Sequence, residues 1–111
     1  MVLWPCLLTL EGDDELIFLR NQQDLTAECH ELILTDEDMV IDAAGVIYLI
    51  KSAGRLWTLQ ANGKTVNLQQ VTDLIRAHEF KKAEVCLTKI YFGTLLEAVE
   101  SLRGEAHHNT N

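Results

Sequence analysis

The chain has 111 residues, 48% of them hydrophobic, with six glycines and a single proline. That suits one globular domain with an ordinary core and excludes linker, collagen-like and repeat architectures. The formal net charge of −8 is uneven: residues 1–50 hold eleven acids against Arg20 alone, whereas residues 51–111 hold six acids and eight bases. Phosphate backbones and anionic lipids are bound by exchanging counterions for Lys and Arg, so this balance argues against nucleic-acid and membrane partners. It favours solubility, or a basic protein partner.

The start, Met1 to Leu8, is apolar but has no Lys or Arg ahead of it, so it is not read as an export signal. Residues 3 to 10 suit a strand, and Pro5, which lacks an N–H and restrains Trp4, places it at a sheet edge. Gly12-Asp13-Asp14 then turns into the short apolar run Leu16 to Leu19, so that the two form a hairpin. Asn21 caps a short helix to about Glu28, and Glu31 to Thr35 is read as a further strand.

Thr35-Asp36-Glu37-Asp38 reads as a solvated turn, four polar side chains being too many for one apolar face. Met39 to Asp42 and Val46 to Ile50 are strands joined through Gly45, and Arg55 to Gln60 continues a meander that Asn62-Gly63 closes. Asn67 and Gln70 form a capping box. Behind it Leu68, Val71, Leu74, Ile75 and His78 share a helix stripe, with Lys81 and Lys82 at its cation-favouring end. Val85 to Phe92 alternates, which favours a strand returning to the sheet over a continued helix, the alternative. Thr94 and Glu97 form a second capping box before the stripe Leu95, Ala98, Val99 and Leu102, and Gly104 ends that helix.

The expected fold class is therefore α+β: a mostly antiparallel sheet of five or six strands, an N-terminal meander, packed against two C-terminal helices. Residues 1–104 form the single domain and residues 105–111 a disordered tail.

Catalytic signatures are absent: there is no G-x-S-x-G, G-x-x-x-x-G-K, G-x-G-x-x-G or H-E-x-x-H. The acids from Asp36 do not make a calcium loop, because the sixth position is Ile41 rather than glycine. Cys6, Cys29 and Cys86 are odd in number and without a C-x-x-C pair, which fits free thiols in a reducing cytoplasm. Cys29-His30 would diverge on a strand and makes a poor dyad. No cofactor or metal is expected. Cys29, His30, His78 and Cys86 lack the close spacing of a zinc site, and His78 with Cys86 in a helix–sheet pocket is the ligand-site alternative. With both C-terminal helices on one face, Trp4, Trp57 and Tyr48 are expected to be exposed in part, so Trp4 and Trp57 join Asp36, Glu37 and Asp38 as candidate interaction residues.

Several segments together resemble a short bacterial family: Trp4-Pro5, Gly12 to Leu16, Ile41-Asp42 with Gly45, and Ile47 to Leu49, followed by His78, Cys86, Lys89-Ile90 and Phe92. It is a domain of unknown function of about 110 residues, found in marine and related gammaproteobacteria, and covers nearly the whole chain. The resemblance implies a stand-alone cytoplasmic α+β protein and brings no activity, cofactor or catalytic residue with it. The functional expectation is a non-enzymatic interaction or regulatory module, monomer or weak dimer, with a basic protein as partner. The alternative is a small-molecule or metal-binding domain using His78 and Cys86.

Overall fold

In the computed structural model, which describes residues 1–32, 34–35, 37–54, 56–82 and 92–103, the Cys6-Leu7-Leu8 run is apolar at every position because both faces of the sheet are covered. The strands are β1 (Cys6–Thr9), β2 (Leu16–Leu19), β3 (Met39–Ile41), β4 (Val46–Ala53) and β5 (Leu56–Thr65). They form one antiparallel sheet in the order β2-β1-β3-β4-β5. The helices are α1 (Gln22–Glu31), α2 (Leu68–Lys82) and α3 (Leu95–Glu100).

Side-chain alternation sorts two cores. Leu7, Leu16, Phe18, Ile41 and Ile47 face α2 and α3, meeting Val71, Ile75, Ala98, Val99 and Leu102. Cys6, Leu8, Leu19, Val40 and Tyr48 face the other way and meet Leu25 and Cys29, one turn apart on α1. The α+β antiparallel sheet with C-terminal helices is thus as expected, but the short α1 packs against both edge strands, β2 and β5, and shields the second face. Tyr48 is consequently buried, and Trp4 and Trp57 are half-buried against the α1-side core. Partial exposure is thus kept by Trp4 and Trp57 and not by Tyr48.

The cap chemistry follows the sequence closely. Asn21 Oδ1 accepts the Asp24 N–H at 3.0 Å. At α2, Asn67 N–H donates to Gln70 Oε1 while Gln70 N–H donates to Asn67 Oδ1, both at 2.8 Å, the reciprocal pattern of a capping box. Glu97 N–H donates to Thr94 Oγ1, but the Glu97 carboxylate reaches back to Gly93 N–H rather than to the cap residue.

Three local expectations change. Pro5 precedes β1 instead of lying at an edge: the Trp4-Pro5 bond is cis and β1 is flanked by β2 and β3. Among the described residues of 31–35 no strand is found, since α1 continues through Glu31 and its last turn closes with Leu32 N–H donating to Glu28 O. Asn62-Gly63 does not end β5. It forms an irregularity between the Val46–Thr65 and Tyr48–Ala61 pairs, with Gly63 at φ 82° and Lys64 N–H donating to Asn62 Oδ1. The strand or helix anticipated at 85–92 falls outside the described residues but for Phe92, as do the tail and Gly104.

Candidate functional site

The one positively charged side chain among residues 1–50, Arg20, is already paired. Arg20 grips Asp24 through Nε at 2.8 Å and a second guanidinium nitrogen at 3.0 Å, a bidentate pairing. Asp24 also accepts the Arg20 backbone N–H.

Around this neutralised pair the acids crowd. Burial first, and then Asp24, Glu15 and Glu31, push the Glu28 carboxyl above its ordinary value. The acids that raise it come from α1 and from the entry to β2. Glu11, Asp13, Asp14 and Glu15 are all exposed along the β1–β2 turn, which Gly12 closes with φ 77°.

Asp38 joins a third segment to this surface from below. It is only 4% exposed; Oδ1 accepts Glu11 N–H at 2.8 Å and Oδ2 accepts Thr35 N–H at 2.7 Å. Of the candidate trio, then, Glu37 is exposed, Asp38 is a buried clamp between loops, and Asp36 lies outside the described residues. The solvated-turn reading fails at Asp38 because two orphan backbone donors need an acceptor there.

Asp42 is a more extensive hub of the same kind, 1% exposed. Oδ1 accepts Ala44 N–H and Val46 N–H at 2.9 and 3.0 Å; Oδ2 accepts Leu3 N–H at 3.2 Å and lies 3.2 Å from the Tyr48 hydroxyl. It ties the N-terminal segment to the β3–β4 turn. The sequence carries a trace of this role, an Asp opening an Asp-Ala-Ala-Gly turn. Burial and Asp42 together raise the Tyr48 hydroxyl above its usual value.

His78 is 6% exposed on α2, and its Nδ1 accepts the Leu16 N–H of edge strand β2 at 3.0 Å. A ring accepting through Nδ1 carries its proton on Nε2. Its suggested partner Cys86 lies outside the described residues. Cys6 and Cys29 are free and buried in the α1-side core. Burial and Asp42 hold Cys6 at about 12, and burial and Glu28 hold Cys29 at about 11. Both are thiols at neutral pH and poor nucleophiles. Among the described residues no three His, Cys, Asp or Glu side chains gather as metal ligands, and no helix is long and apolar enough to cross a membrane. Trp57 does contact α1, with the His30 ring edge-on at 6.5 Å.

A family model described as a protein structure with unknown function, DUF4144, matches residues 4–102. The chain belongs to the DUF4144 family. A solved relative in fold, the NMR structure of a protein from Shewanella amazonensis, superposes with a TM-score of 0.69 at 24% identity, covering 94% of this chain and 90% of that one. At that identity the likeness speaks for the fold. No curated protein matches. The DUF4144 fold here is thus a small α+β domain, and its surface chemistry has to be argued from its own residues.

Proposed function

We propose that this DUF4144 domain is a non-enzymatic protein-interaction or regulatory module of the cytoplasm that docks a basic protein on the acidic surface of α1 and the β1–β2 turn. The observation that carries this reading is the setting of Glu28, whose charge neighbours are Asp24, Glu15 and Glu31. Burial first, and then the like charges of Asp24 (itself paired with Arg20), Glu15 and Glu31, hold that carboxylate at a cost to stability in the free protein. A partner bringing Lys or Arg to Glu15, Glu28 and Glu31 would relieve that cost. Exposed Glu11, Asp13, Asp14 and Glu37 extend the field and would steer such a partner on approach.

The interior supports a role without catalysis. The His78 Nδ1 is engaged by a β-strand N–H, and both described cysteines are held as buried thiols. Free thiols also suit a reducing cytoplasm.

The test is affinity capture from a gammaproteobacterial lysate with the wild-type domain as bait, at low salt and again at about 0.5 M, where the screening length falls to a few ångströms. A basic protein retained at low salt and released at high salt is the expected result. Retention that ignores salt would remove the electrostatic docking reading.

A further inference from the structure

At the opposite edge of the sheet, β5 is paired on one side only, with β4, among the described residues. Which of its backbone groups face outward follows from the hairpin. Ala53 and Leu56 flank a two-residue loop and make the hydrogen-bonded pair that such a loop requires, so Leu56, Thr58 and Gln60 bond to β4. Trp57, Leu59 and Ala61 therefore turn their N–H and C=O groups away from β4. Gln22 Nε2 donates to Trp57 O at 2.9 Å, as an outward carbonyl allows.

Natural edges are guarded by charge, proline, a bulge or a covering element, and here α1 reaches the edge at Trp57 O through Gln22. From Leu56 to Ala61 there is no charge and no proline in a chain carrying −8 overall, and the irregularity begins only beyond Ala61. The sequence of this flat part is also self-complementary. Turned antiparallel to itself about Leu59, it sets Leu59 against Leu59, Trp57 against the small Ala61, and Thr58 against Gln60. Apolar pairs then fall on the α1 side, polar pairs on the other, and no like charges meet.

We propose that β5 pairs with β5 of a second copy, in antiparallel register centred on Leu59, continuing the sheet across a twofold axis. Leu59–Leu59 and the Trp57 N–H to Ala61 O contacts supply about four backbone hydrogen bonds, and about two more form where Ala61 N–H of the second copy takes Trp57 O over from Gln22 Nε2. Thr58 and Gln60 form the closely approached, non-hydrogen-bonded pairs between them. Strand pairing alone buries less than a standard interface, so the dimer is weak, with Kd on the order of 10 µM to 1 mM.

Sedimentation equilibrium of the full chain up to about 1 mM, at about 0.15 M salt, reads this directly. Wild type is expected to rise from 12.5 kDa toward twice that mass. Thr58→Lys/Gln60→Lys, at two exposed positions, sets like charges across the seam and is expected to weaken the dimer at least about tenfold. Thr58→Lys/Gln60→Glu sets opposite charges there and is expected to restore it, with circular dichroism verifying the fold of each. A wild type that stays at monomer mass throughout, or a dimer indifferent to the Lys/Lys change, would overturn the proposal. So would a Lys/Glu variant as weak as the Lys/Lys one.

Discussion

The Leu16 N–H donates to His78 Nδ1 at 3.0 Å across 62 residues of chain, joining edge strand β2 to helix α2. A histidine on the apolar stripe of a helix is thereby a fastener between layers. His78→Ala leaves a buried donor unsatisfied and is expected to cost about 1–3 kcal/mol in urea unfolding. His78→Asn, whose side-chain oxygen falls near the Nδ1 position, should recover most of that loss.

Asp42 accepts three backbone N–H groups with the Tyr48 hydroxyl beside it. Asp42→Asn puts a donor where two of these groups need an acceptor, and Asp42→Ala removes both oxygens. Losses of about 1–3 kcal/mol for Asn, and more for Ala, are expected by denaturant melts. Hydrogen exchange should show Leu3 and Ala44 losing protection first.

Gly45 sits at φ 85°, where a Cβ would run into the Val66 carbonyl oxygen. Gly63, at φ 82°, has open space around it. Gly63→Ala should cost about 1 kcal/mol, the ordinary left-handed penalty. Gly45→Ala should cost at least about 2 kcal/mol, because the Gly45 O to Val66 N–H hydrogen bond is strained as well.

The contrast between these glycines marks what the sequence can and cannot disclose. Caps at Asn21, Asn67 and Thr94 were legible because the groups they satisfy are three residues away. The α2 stripe was legible because helical period alone sorts Val71, Ile75 and His78 inward. Gly45 is legible as a turn glycine, but its approach to Val66 depends on how β5 returns past β4. Long-range placement hid the acidic surface in the same way: nothing local sets Glu15 beside Glu28, or makes Asp38 the acceptor for Glu11. The covered second face was missed because α1, with only Leu25 and Cys29 buried, lacks a strong apolar stripe of its own.

Both described thiols have folded values raised above the unfolded 9.0, to about 12 for Cys6 and about 11 for Cys29. Protons are held more tightly in the folded state, so stability is retained below pH 9 and falls as pH rises from 9 through those values. Peptide mapping after iodoacetamide at about pH 8 should find Cys6 and Cys29 unlabelled in the folded protein and labelled in guanidinium.

Glu28 also has a raised folded value, so its charged form disfavours folding, and the penalty is relieved as pH falls through the carboxylate range. Glu28→Gln is expected to raise Tm by about 2 °C at neutral pH and to lose that advantage in acid.

The most direct measurement compares three baits in low-salt lysate capture: wild type, Glu15→Lys/Glu28→Lys/Glu31→Lys, and His78→Asn. The expected result is a basic partner held equally by wild type and His78→Asn and lost by the triple reversal. A partner kept by the triple reversal and lost by His78→Asn would contradict the acidic docking surface and move the site to the α2–β2 seam.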